Sequence, residues 1–114
     1  MRRGVRHILE TQDEWEVVGE ASNGREAIQL NRQLHPDVII MDITMPVMNG
    51  IEATIQIVKA DPRCKVLILT MHEGPSVSES AQHSGARGLV VKSQAMDELT
   101  PALKAIIAGG TYFH

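Results

Sequence analysis

The chain has 114 residues, 43% hydrophobic and 22% charged, with a formal net charge of −3. That is the length and composition of one globular domain, with no apolar run near the roughly 20 residues that span a bilayer. Scattered basic residues in an acidic chain argue against a direct DNA contact, which needs lysine and arginine gathered on one face, and a lone Cys64 excludes an internal disulfide or a multi-cysteine zinc site. Met1-Arg2-Arg3-Gly4-Val5-Arg6 leads into only Ile8-Leu9 before polar residues resume, so a secretory h-region is missing and a cytoplasmic address is expected.

Along the chain, Val5, Ile8 and Leu9 have helical spacing over residues 1–10. Trp15 to Glu20 reads as a short strand, and Ser22-Asn23-Gly24 supplies a turn and N-cap for a helix that His35-Pro36 ends near Leu34. Val38-Ile39-Ile40-Met41 is a continuous apolar run of the kind buried on both faces of a parallel sheet, and it stops at Asp42. After the loop Thr44 to Gly50, the spacing of Ile51, Ile55 and Val58 predicts a helix terminated by Asp61-Pro62. Lys65 to Thr70 repeats the buried-strand pattern. Pro75 suits the first turn of a small, polar helix closed by Ser84-Gly85. Gly88-Leu89-Val90-Val91 is a further strand ending at Lys92, and a last helix is expected from about Ala95 to Ala108, kinked or delayed by Pro101.

Helices and strands therefore alternate, the pattern of an α/β, doubly wound parallel sheet. Chemistry in such sheets collects outside the carboxyl ends of the strands, which here carry Asp42, Thr70 and Lys92. A carboxylate, a hydroxyl and an ammonium converging there describe a phosphoryl-acceptor site. Asp42 would be the nucleophile forming an acyl phosphate, Lys92 a point charge against phosphoryl oxygens, and Thr70 a hydroxyl donor. A hard divalent cation, Mg2+, would offset the transferring charge. Each residue alone has a blander reading, as a helix cap, a strand-end threonine or a solvated lysine; their common placement favours the joint one.

With these residues in view, the sequence resembles the receiver domain of two-component response regulators, close to the NarL/FixJ subfamily with LuxR-type effectors. The resemblance is carried by Val17-Val18-Gly19-Glu20-Ala21, by Pro36 through Asp42 to Met45-Pro46-Val47-Met48-Asn49-Gly50, by Val66 to Thr70, by Gly85 to Ser93, and by Ala108 to Phe113. It spans residues 1–114 and implies a flavodoxin-like (CheY-like) fold. It also implies Asp42 as phosphoacceptor, Thr70 as switch hydroxyl, Lys92 as phosphate-binding lysine, and Asp42 with the Thr44 backbone carbonyl as metal ligands. Pro46 and Gly50 would shape the loop beneath the site. A sensor histidine kinase would be the phosphoryl donor. The response would be a shift of the Thr70 loop and of residues 75–92, altering a homodimer or contacts to a helix-turn-helix effector in a longer parent protein.

Receivers of this kind begin with a strand ending in a metal-binding acidic pair. By that pattern the first strand and the pair are absent from this N-terminally truncated chain, and no effector follows residue 114. Asp13-Glu14 lies in a polar turn and does not replace the pair. Leu89 stands where many receivers carry an aromatic switch residue, and Ser93 where others have a cis proline. An alternative expectation follows: a pseudo-receiver or dimerisation module that no longer takes phosphate. Other enzyme classes fit less well. No G-x-x-x-x-G-K-[ST] and no G-x-G-x-x-G is present, Asp42-Ile43-Thr44 lacks the second aspartate of haloacid-dehalogenase-type phosphatases, and His7, His35, His72, His83 and His114 are dispersed without metal spacing. The reading is of a phosphate acceptor, not an enzyme in the ordinary sense.

Overall fold

The computed structural model describes residues 8–11, 15, 23–42, 50–71 and 75–113, with Asp42 described by its backbone alone. The expected strand over 16–20, the Asp13-Glu14 turn, Thr44 and Pro46 of the loop, and His7, His72 and His114 lie outside these residues. Ile8, Leu9 and Glu10 are helical, as the spacing at the start of the chain predicts.

Helix α1 runs from Gly24 to Leu34. Asn23 caps it as the sequence predicts: its backbone is extended, and its Oδ1 accepts from the Glu26 backbone N–H at 3.0 Å. At the other end His35 adopts the left-handed conformation (φ 46°) and its N–H returns to the Asn31 carbonyl, after which Pro36 cannot continue the helix. Strand β1, Val38–Asp42, follows, then α2, Gly50–Ala60. Inside α2 the buried Thr54 hydroxyl donates to the Gly50 carbonyl at 2.6 Å, which satisfies it without a partner outside the helix.

Strand β2 is Lys65–Thr70, α3 is Pro75–His83, and β3 is Gly88–Val91. Gly85 closes α3 at φ 93°, and a β-carbon there would stand 2.9 Å from Val58 Cγ1, so two independent constraints demand glycine. A 3-10 turn, Lys92–Gln94, leads into α4, Ala95–Ile107. This corrects the expectation that Pro101 would delay the start of the helix. The helix starts at Ala95 without delay and runs unbroken through the proline, ending one residue earlier than expected. The carbonyl that Pro101 cannot serve belongs to Asp97; both residues are exposed, so water can replace the missing donor.

The three strands form one parallel sheet in the order β1-β2-β3. Alternate residues of β2 face opposite ways, as a period of two requires. Val66 and Ile68, with Met41 and Leu89, pack under Ala27 of α1, Ala53 and Ile57 of α2 and Ala81 of α3. Leu67 and Leu69, with Val90, pack under Leu99, Ala102, Leu103 and Ile106 of α4 and under Ile8. Helices therefore cover both faces. The expectation that all three apolar runs are buried on both sides holds fully for β2, where Val66 to Leu69 are at most 4% exposed, whereas Val38, Ile39 and Ile40 of β1 are only partly covered. No helix among the described residues is long and apolar enough to cross a membrane.

Candidate functional site

Register places the three predicted site residues at one edge of the sheet. Asp42 is the last residue of β1 and lies opposite Leu69; Thr70, the last of β2, lies opposite Val91; Lys92 follows as the first residue of the 3-10 turn. They form a staircase, each one residue further along than the last. Adjacent strands stand roughly 4.8 Å apart, so the backbones of Asp42 and Lys92 are separated by about 10 Å across β2. A phosphoryl group carried by one side chain and met by a long ammonium from the other can bridge that gap, with Thr70 between them.

Local sequence explains each placement. β2 stays extended to its end because Thr70 is β-branched, and the residue is 1% exposed, so its hydroxyl is held inside the rim of the sheet. The next residue, Met71, is 65% exposed, which marks the point where the strand leaves the core. Lys92 is half-buried; Val91 before it is still extended, and the Ala95 N–H returns to the Lys92 carbonyl, so the lysine sits on a fixed corner. Thr70 and Lys92 both have interaction partners in the structure. Thr44, the expected carbonyl ligand, lies outside the described residues. Gly50, at the far end of that loop, is the buried first residue of α2.

No group of three or more His, Cys, Asp or Glu among the described residues could hold a metal. A Mg2+ ion bound largely by water and phosphate needs only one or two protein carboxylates. His35 and His83 serve helix ends, as the dispersed pattern suggests.

Residues 1–104 match the family model described as the response regulator receiver domain. The chain belongs to that family. This receiver domain is 40% identical over 113 residues to the transcriptional regulatory protein DegU of Brevibacillus brevis, a match covering 99% of the chain and 48% of DegU. It thus spans about half the length of curated relatives of this kind. A LuxR-family two-component response regulator from Aurantimonas sp. SI85-9A1 has the same fold, with a TM-score of 0.93, 40% identity, and coverage of 97% of this chain and 79% of that one. The isolated receiver domain of RcsB from Salmonella enterica serovar Typhimurium, solved with the phosphomimetic BeF3-, gives a TM-score of 0.88 at 28% identity, covering 98% and 83%. The CheY-like parallel sheet and the assignment to two-component response regulators are established by these matches. The alternative of a pseudo-receiver that takes no phosphate receives no support from them.

Two features of this receiver domain were not visible in the sequence pattern. One is the tail after α4. Tyr112 donates its N–H to the Arg87 carbonyl and accepts from the Leu89 N–H, both at 2.9 Å, forming a parallel bridge beside Gly88. Its hydroxyl donates to Glu98 at 3.0 Å. The only local signal is two adjacent aromatics in a chain that has three. The other is a groove between α1 and α2.

Proposed function

We propose that Asp42 accepts a phosphoryl group from a sensor histidine kinase. The observation that carries this reading is the staircase of Asp42, Thr70 and Lys92 at the carboxyl ends of three adjacent parallel strands, where such sheets place their chemistry. A carboxylate oxygen attacks phosphorus as the bond from phosphorus to the donor nitrogen breaks. The nitrogen keeps the electron pair and takes a proton, and an acyl phosphate remains on Asp42. Lys92 pairs with a phosphoryl oxygen and Thr70 donates its hydroxyl to another. Asp42 and the Thr44 carbonyl would hold Mg2+, which when bound supplies positive charge against the phosphoryl oxygens.

The stored group would act on dimerisation or on a helix-turn-helix output domain in transcription regulation. Support comes from DegU, named a transcriptional regulatory protein and about twice this length, and from the LuxR-family structure. On this reading the domain is a covalent signalling switch, not a catalyst of turnover, and it works in the cytoplasm.

Intact mass spectrometry tests the assignment. With acetyl phosphate or a phosphorylated kinase and Mg2+, the chain should gain one phosphoryl group, and peptide mapping should place it on Asp42. Asp42→Asn should gain none. Lys92→Ala should slow the gain about tenfold or more, because a hydrogen bond to a charged group is worth roughly 1.5–3 kcal/mol. An adduct on another residue, or none with any donor, would sink the reading.

A further inference from the structure

Helices α1 and α2 leave between them an open groove of about 380 Å³ lined by Arg25, Ile28, Gln29, Arg32 and Gln56. Its chemistry is one-sided. Ile28 forms an apolar floor continuous with the core cluster under α1 and α2, while Arg25, Gln29 and Arg32 make a strip of donors along one flank of α1. Neither guanidinium has a hydrogen bond or ion pair among the described residues. Two cations thus stand without a counter-charge among the described residues, in a chain whose net charge is −3.

Folding does not explain this pair equally. Arg32 lies in the last turn of α1, where a cation complements the helix dipole. Arg25 lies in the first turn, at the positive pole, where the dipole disfavours a cation and favours a carboxylate such as Glu26. The helix dipole gives no reason for an arginine there. The two arginines are seven residues apart, about two turns or roughly 10 Å along the axis. A third helix laid in the groove would meet that spacing with carboxylates at i and i+7 and would set an apolar residue between them on Ile28.

We infer that the α1/α2 groove docks an acidic amphipathic helix of a partner protein through Arg25 and Arg32. Nucleic acid fits less well, since two arginines on an acidic domain supply little counterion release. Arg25 and Arg32 take no part in the phosphoryl-acceptor reading, and the inference stands whether or not Asp42 takes phosphate.

The test uses the whole chain, labelled with 15N, and a blocked helical peptide of about 20 residues, long enough to hold helix in water. The peptide carries Glu at i and i+7 and Leu at i+4. Expected are saturable amide shifts at Arg25, Ile28, Arg32 and Gln56 that weaken with salt. Arg25→Glu should cut affinity about tenfold or more while leaving the melting temperature unchanged or slightly raised, and Arg25→Gln should give an intermediate loss. The inference fails if no groove shifts appear at millimolar peptide, if a peptide with the same residues in scrambled spacing binds as well, or if a single-stranded oligonucleotide binds the groove more tightly. It fails equally if Arg25→Glu binds like the parent.

Discussion

Cys64 stands just before β2 and is 4% exposed. Burial, and then the nearby Asp61 charge, push its thiol up to about 11. The reactive thiolate is therefore scarce at neutral pH, and iodoacetamide should leave the folded chain unmodified at pH 8 while labelling it in urea; rapid labelling without denaturant would contradict the burial. Because the folded value lies above the unperturbed 9.0, this residue's share of stability is whole below pH 9.0 and is lost as pH rises through about 11. Asn31 presents the opposite situation. It is 4% exposed, yet its Oδ1 has no hydrogen-bond partner among the described residues. A buried acceptor left unpaired costs roughly 1–3 kcal/mol, so Asn31→Leu, similar in volume, should raise the urea midpoint by the equivalent of about 1 kcal/mol. A lower midpoint would refute this.

Among the elements, β3 is the most constrained by its neighbours. A β-carbon on Gly88 would stand 2.7 Å from Ile106 Cδ1, 2.8 Å from Leu67 Cδ1 and 3.2 Å from the Tyr112 carbonyl oxygen. Gly88→Val should therefore destabilise the fold by about 1–3 kcal/mol, the usual cost of overfilling a packed core, measured by urea denaturation; an unchanged midpoint would mean that the tail moves aside freely. The sequence announced β3 itself, since Leu89-Val90-Val91 is an apolar run between polar segments. It could not announce why a glycine precedes that run, because the crowding comes from residues 18 or more positions further along the chain and 21 earlier. Asn23 and His35-Pro36 were legible because caps act within one turn. Asp42, Thr70 and Lys92 were legible because each ends a period the eye can follow. Pro101 misled for the same local reason: its clash is written in the sequence, but the solvent exposure that lets α4 run through it is a tertiary fact. Arg25 and Arg32 carry no motif, and the groove that joins them exists only once α1 and α2 lie side by side.

In the molecule as a whole, two apolar clusters share a single thin sheet, and the tail touches both. Tyr112 packs against the cluster under α4 and Phe113 against the one under α1 to α3, the alternation of a strand. The Tyr112 hydroxyl, whose pKa is raised by burial and then by Glu98, adds a further tie to α4. Replacing both aromatics by alanine should cost about 2–4 kcal/mol, less than for fully buried rings, and should be read as a lower denaturation midpoint with the sheet retained. No change would show the tail to be ornamental.

That pairing also fixes a direction. Tyr112 sits beside Gly88, at the amino end of β3, while Lys92 lies four residues on, past the carboxyl end, roughly 13 Å away at strand rise. Because the bridge is parallel, the chain at Tyr112 and Phe113 enters at the amino end of β3 and runs in the same sense as that strand. The tail therefore lies along β3 as the beginning of a further parallel strand, one bridge long.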